Sequence, residues 1–143
     1  MGWFSRNKNE KINEPNQMSP IEAVTHLCAV IQIADGQADY KERVAWEKMI
    51  KNIFPEHSEK RADRFLSESF IILSKKNTSE KVNYAREILK RIKTLISSEQ
   101  LEKLGPGIVD LIESDGIVMS SEMEIINLIN SELSINIILN ETI

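Results

Sequence analysis

Apolar residues recur at steps of three and four along most of the chain, which is the spacing of one buried helix face. Val24, Leu27 and Ile31 begin one such series. The same spacing predicts further helices over residues 39–54, 58–74, 79–96, 97–112 and 120–133, and a short seventh helix over 135–141. The alternation of apolar and polar residues that marks a half-buried strand is not sustained anywhere. The sequence therefore predicts an all-α fold, a single compact bundle of about seven helices.

Capping residues mark where several of these helices begin. Ser19-Pro20-Ile21-Glu22 combines an N-cap serine, a proline at the first helical position and a glutamate three residues after the cap. The serine and the glutamate can each satisfy a backbone N–H that the helix leaves free. Asp39-Tyr40-Lys41-Glu42 and Ser97-Ser98-Glu99-Gln100 carry similar signatures. Gly105-Pro106-Gly107 predicts a break in the fifth helix, with Pro106 restarting it, because proline lacks the N–H of a continuous helix.

The first 18 residues differ from the rest of the chain. They are polar, include Pro15 and show no apolar period after Phe4. We predict a flexible polar arm over 1–18 and one helical domain over 19–143. Trp3 and Phe4 stand near cations, so they are candidates for a peripheral contact with a membrane or a partner, the alternative being a frayed terminus.

Composition is that of an ordinary soluble domain, with 143 residues, 41% hydrophobic and 28% charged. The single cysteine, Cys28, has no partner for an internal disulfide and lies among apolar residues, which fits a reducing compartment. No apolar run approaches the roughly 20 residues of a transmembrane helix. The expected location is the cytoplasm.

The net charge of −4 is unevenly distributed. Residues 96–143 hold nine acidic residues and one cation, whereas residues 58–95 hold ten Lys or Arg and five Asp or Glu. The fourth helix carries Arg86, Lys90 and Lys93 in a row, a pattern that suits an acidic protein or an anionic membrane and equally suits a solvated helix face. Binding of nucleic acid is not expected, because only Tyr84 is nearby to stack on a base.

One short motif occurs twice. Asp-Gly, five residues and Glu appear at 35–42 and again at 115–122. This is the second half of a calcium-binding EF-hand loop. The first ligand positions of such a loop would fall on Ile31 and Ile33 in one copy and on Leu111 in the other, and these side chains have no oxygen. Neither copy is an EF-hand.

Helix termination and capping explain part of each motif, since the glycine ends one helix and the glutamate lies in the first turn of the next. Glu42 and Glu122 also head the buried faces of their helices, where a carboxylate needs backbone donors, a basic partner or a cation. Asp35 and Asp115 fall at helix C-termini, where the helix dipole disfavours negative charge. A turn hydrogen bond or a divalent metal would offset that cost.

Ile33-Ala34-Asp35-Gly36 with Glu42, and Ile112-Glu113-Ser114-Asp115-Gly116 with Glu122, resemble the TerB tellurite-resistance family over about residues 19–140. The resemblance implies a bundle of two related helix-turn-helix halves that brings its acidic loops together. It implies a divalent cation such as Ca²⁺ at Asp35, Glu42, Asp115 and Glu122, with Asp39 as an addition. Met119, where the first copy has the capping Asp39, and Ser114, where alanine is usual, depart from the family pattern.

The resemblance further implies a non-enzymatic interaction module in tellurite, metal or envelope stress, with a protein partner, in some cases a membrane protein, and a position at the inner face of the membrane. The alternative is a scaffold that docks through Arg86, Lys90 and Lys93, with the acidic loops purely structural. An enzyme is not expected, because His26 and His57 lack partners at zinc-ligand or catalytic spacing. We predict that His26 is a structural helix residue.

Overall fold

The structure, a computed structural model, describes residues 13–33, 40–114 and 120–138, and within these ranges the side chains of residues 33, 40–42 and 120–122 are not described. These residues form six α-helices and one short 3-10 turn, with no strand, so the predicted all-α fold is confirmed. The helices are α1 (Pro20–Ile33), α2 (Tyr40–Ile53), α3 (Glu59–Ser74), α4 (Thr78–Leu95), α5 (Ser98–Glu113) and α6 (Ser120–Leu133).

Helix α1 is the centre of the bundle. Every residue from Glu22 to Gln32 is buried, including the polar Thr25 and His26. It packs most extensively against α3 and α4, and less extensively against α2 and α5. The sequence allows this position because no charged residue follows Glu22 within the helix, so no ionised side chain has to reach water.

The start of α1 has the predicted capping box. The Ser19 backbone N–H donates to Glu22 Oε1 at 3.2 Å, and the Glu22 N–H donates to Ser19 Oγ at 3.3 Å. Glu22 is 3% exposed, and its carboxylate also accepts from Asn13 Nδ2 at 3.1 and 3.3 Å. The cap therefore ties the preceding segment to the bundle.

Residues 13–18 belong to the folded domain, which corrects the predicted arm boundary at residue 18. Pro15–Gln17 form the 3-10 turn, Pro15 is buried, and Met18 is fully buried in the core. Arg91 of α4 donates from Nε to the Met18 carbonyl at 2.9 Å. The sequence pattern missed this segment because one apolar residue among polar ones shows no period. Residues 1–12, with Trp3 and Phe4, lie outside the described part of the chain.

Side-chain caps also start α3, α4 and α5. Ser58 and Ser97 accept from the N–H groups of Arg61 and Gln100, as their sequence positions predict. Helix α4 begins one residue earlier than predicted, because Asn77 and Glu80 form a reciprocal capping box. The Asn77 N–H donates to Glu80 Oε1 at 2.9 Å, and the Glu80 N–H donates to Asn77 Oδ1 at 2.8 Å.

Helix α5 is continuous through Pro106, so the predicted break at 105–107 is wrong. Proline removes one intrahelical donor, to the carbonyl four residues earlier. Glu102 and Pro106 are both exposed, which puts the lost bond on the solvent side of the helix. The flanking Gly107 has a packing role, because a Cβ at that position would lie 2.6 Å from Met49 Cγ and 3.2 Å from Met49 Cβ.

The chain turns sharply after α6. Ser134 has a φ of 56°, and the Asn130 side chain then holds Ile137 by two hydrogen bonds, accepting from its N–H at 2.7 Å and donating to its carbonyl at 3.2 Å. Residues 135–138 are therefore not helical. The predicted seventh helix over 135–141 is wrong in this part, and residues 139–143 lie outside the description.

Candidate functional site

The five residues proposed as metal ligands are not described at the level of side chains. Asp35, Asp39 and Asp115 lie in the segments 34–39 and 115–119, which are outside the described ranges. Glu42 and Glu122 lie within α2 and α6, and only their backbone is described. Within the described ranges, no three His, Cys, Asp or Glu residues are grouped closely enough to hold a metal ion.

The helices on either side of these segments are described, and two of them, α2 and α5, pack on each other. Helices α2 and α5 pack against each other in opposite directions. Near the end of α2, the Asn52 carbonyl accepts from Lys103 Nζ at 3.4 Å. One turn earlier in α2, Met49 packs on Gly107, one turn later in α5.

The same register continues toward the acidic motifs. Ala45 and Asp110 line one groove between the two helices. One further helical turn brings the backbone of residues 41–42, at the end of the first motif, to the level of residues 113–114, immediately before the second. The described helix ends that adjoin the two Asp-Gly-x5-Glu motifs therefore lie at the same end of the α2–α5 pair.

Both motif glutamates precede buried helix faces, as predicted. Trp46, Met49 and Ile53 follow Glu42 in register and are buried. The corresponding residues after Glu122 are buried too, namely Ile126, Ile129 and Leu133. Carboxylate oxygens are ligands that suit a hard divalent cation better than zinc or copper.

The basic row of α4 is at the surface. Lys90 and Lys93 are exposed, and Arg86 is half-buried and donates from Nη1 to Asn83 Oδ1 at 2.8 Å. Within residues 13–33, 40–114 and 120–138, none of these three cations forms an ion pair. Arg91, one residue along the same helix, has the different role of holding Met18. No helix in the described part of the chain is long and apolar enough to cross a bilayer.

A buried polar pair joins α1 to α4. His26 Nδ1 lies 2.8 Å from the Tyr84 hydroxyl, and His26 is fully buried. Burial lowers the pKa of His26 to about 4. Burial also raises the pKa of Tyr84, with smaller contributions from the carboxylates of Glu14 and Glu22. The imidazole is therefore neutral at physiological pH and links α1 to α4.

Sequence reasoning did not foresee the partner of His26. The ring nitrogen that does not face Tyr84, Nε2, has no hydrogen-bond partner among the described residues. Cys28, on the same helix, is fully buried, and burial raises the pKa of its thiol. Neither side chain is exposed to solvent, and burial keeps the Cys28 thiol in its protonated, unreactive form. The one sequence signal for the pair is Tyr84 itself, an aromatic hydroxyl within an amphipathic helix.

Comparison of the chain with family models, with curated proteins and with solved structures finds no match.

Proposed function

We propose that the chain is a non-enzymatic TerB-like interaction module whose two acidic motifs together bind a divalent cation such as Ca²⁺, in the response to tellurite, other metals or envelope stress. The observation that supports this proposal is the antiparallel register of α2 and α5, in which the end of α2 next to the first motif and the end of α5 next to the second lie on the same side. The ligands are Asp35, Glu42, Asp115 and Glu122, with Asp39 as an addition.

The pairing of motifs gives the cation a mechanical role. A cation held by both motifs links the α1–α2 connection to the α5–α6 connection, and it offsets the charge of aspartates placed at helix C-termini. Binding therefore orders the acidic end of the bundle and changes the surface that a protein partner meets. We place the module in the cytoplasm, at the inner face of the membrane where the partner is a membrane protein.

Calcium titration followed by amide NMR tests this proposal. We expect amide shifts in residues 33–42 and 113–122 at millimolar Ca²⁺ or below, and the largest loss of binding when one aspartate of each motif is changed, as in Asp35→Asn with Asp115→Asn. Glu87→Gln, on the exposed face of α4, is the matched control and keeps wild-type binding. Unmoved amides in both motifs at millimolar calcium would contradict the cation site.

The second candidate function is docking of the α4 basic row on an acidic protein or an anionic membrane. It is favoured by the exposure of Lys90 and Lys93 and by the absence of ion pairs to them or to Arg86 within the described residues. Trp3 and Phe4 would add a peripheral membrane contact. Reversal of all three charges to Glu should abolish binding to vesicles that contain phosphatidylglycerol, whereas Lys48→Glu with Lys51→Glu on α2 should not. Binding that ignores salt would exclude this mode.

A further inference from the structure

Helix α3 exposes a basic and apolar stripe on its outer side. Arg64, Ser67 and Ile71 of α3, and Lys75, the C-cap residue directly after the helix, follow one another at steps of three, four and four residues, which places them along one side of α3. All four are exposed, and Ile71 is 53% exposed. Arg64 keeps about half of its side chain exposed although its Nε lies 3.8 Å from Glu68 Oε2. We call these four residues the α3 stripe.

Helix α5 exposes an acidic stripe with the same spacing. Glu99, Glu102, Pro106 and Asp110 also follow at steps of three, four and four, and all four are exposed. Because α5 stays helical through Pro106, these residues share one face. The proline contributes an apolar ring between carboxylates, just as Ile71 lies between cations on α3. We call these four residues the α5 stripe.

The two stripes match position by position when the helices lie side by side in the same direction. Each position of one then faces a complementary group of the other, in the pairs Arg64 with Glu99, Ser67 with Glu102, Ile71 with Pro106, and Lys75 with Asp110. The first and the last of these pairs are opposite charges, the second is a hydroxyl donor and a carboxylate, and the third is apolar. The stripes extend over 11 residue steps, or about 16 Å of helix.

The stripes do not cover each other within one molecule. Helix α3 packs mainly on α1, whereas α5 packs mainly on α2, and both stripes are exposed. We propose that the chain associates with further copies of itself, the α3 stripe of one copy lying on the α5 stripe of the next. Such a contact joins two different surfaces, so it repeats from copy to copy and forms a ring or an open row.

Neighbouring charges set the strength of this contact. Lys48 and Lys51 of α2 line the groove that also contains Glu102 and Asp110, which reduces the negative potential at one side of the α5 stripe. Exposed ion pairs are also screened by salt. The association is therefore weak, dependent on concentration and favoured at low ionic strength.

Sedimentation velocity of the full chain tests the proposal, with EDTA present so that a divalent cation plays no part. Between about 0.01 and 1 mM protein, at about 20 mM sodium chloride, the weight-average sedimentation coefficient should rise with concentration, and at about 500 mM salt it should fall back to the monomer value. A monomer at all concentrations in low salt overturns the proposal. A concentration dependence that salt does not change also overturns it.

A charge exchange identifies the surfaces. Arg64→Glu with Lys75→Glu makes both stripes acidic, and Glu99→Lys with Asp110→Lys makes both basic, so each variant alone should remain a monomer. Mixed in equal amounts they should associate again, with at least about a tenfold gain in apparent affinity over either variant alone. Lys90→Glu with Lys93→Glu on α4 is the control and should associate like the wild type.

Folding of each variant is checked by circular dichroism before sedimentation. If either charge variant does not fold, Ile71→Ser takes its place, since it keeps all charges and removes only the apolar contact with Pro106. The apparent affinity of self-association should fall several-fold in this variant. Wild-type behaviour in that variant, or mixed charge variants that remain monomers, overturns the assignment of these two stripes. Because EDTA is present throughout, a failure of self-association would not count against the proposed cation site. A failure of the cation site would likewise not count against self-association.

Discussion

Gly107 of α5 lies directly against Met49 of α2, so close that a methyl group on the glycine would come within 2.6 Å of Met49 Cγ. Met49 is 3% exposed and cannot move aside without displacing core residues. This contact sets the separation of α2 and α5 near the middle of both helices. The close approach of the two helices thus depends on one missing side chain.

Replacement of Gly107 by alanine should destabilise the fold by about 1 to 3 kcal/mol, because overpacking outweighs the better helix propensity of alanine. Gly105→Ala is the matched control, since its Cβ would meet only Ile137 Cγ1 at 3.9 Å. That variant should be neutral or more stable by up to about 1 kcal/mol. Urea unfolding followed by circular dichroism measures both. Equal stability of the two variants would show that Met49 yields to the methyl group.

His26 makes the stability of the bundle dependent on pH. Its pKa in the folded chain is about 4, below the ordinary value of 6.5, so the unfolded chain takes up the proton first as the pH falls. The contribution of the neutral imidazole is complete above pH 6.5 and is lost as the pH falls from 6.5 through about 4. The loss is on the order of 3 kcal/mol.

The measurement compares unfolding free energies of the wild type and of His26→Phe at several pH values across this window. The difference between the two proteins should shrink as the pH falls, because only the wild type carries the imidazole. Tyr84→Phe keeps the buried imidazole and should keep the wild-type slope while losing about 1 kcal/mol at neutral pH. Parallel pH profiles for wild type and His26→Phe would disprove this role of His26.

Asn130 should hold the segment after α6. Its side chain makes both hydrogen bonds to the backbone of Ile137, so Asn130→Ala should cost about 1 to 2 kcal/mol and should increase amide hydrogen exchange at Ile137. Asn130→Asp retains the acceptor and should give an intermediate loss. Asn127→Ala, at an exposed position one turn earlier, is the control, and unchanged exchange at Ile137 in Asn130→Ala would argue against the link.

Arg91 should fasten residues 13–18 to the bundle. Arg91→Lys removes the planar donor that reaches the Met18 carbonyl, and we expect a loss of about 1 to 2 kcal/mol with faster hydrogen exchange at the amides of Gln17 and Met18. Arg86→Lys affects only a contact with Asn83 on the same helix and should be within about 0.5 kcal/mol of the wild type. If hydrogen exchange at the Gln17 and Met18 amides is as slow in Arg91→Lys as in the wild type, the packing of Met18 alone holds this segment.

Local signals in the sequence were sufficient to predict where most helices begin, because each cap is formed by residues three positions apart. Ser19 with Glu22 and Ser97 with Gln100 follow that rule. The outcome at Pro106 could not be predicted in this way. A proline is tolerated inside α5 because its missing hydrogen bond faces solvent. Which side of α5 faces solvent depends on where α2 packs, and the local sequence does not specify that.

The candidate site was predictable to a similar extent. The repetition of Asp-Gly-x5-Glu and the buried faces behind Glu42 and Glu122 are sequence properties, and the buried faces are confirmed. The antiparallel register of α2 and α5 follows from the packing of Met49 on Gly107, a contact between residues 58 positions apart that no local pattern encodes. The link between His26 and Tyr84 is likewise a contact between distant residues. Helix periodicity predicts that a face is buried but does not predict which residue of another helix it contacts.

The burial of α1 also affects how the chain folds during synthesis. Of the six helices, α1 leaves the ribosome first, yet the helices that cover most of it, α3 and α4, end only at Ser74 and Leu95. Until then α1, the most apolar of the described helices, has no complete set of neighbours, and it is exposed to chaperones and to other nascent chains. The half that is translated first therefore cannot complete its fold until the second half has begun to emerge.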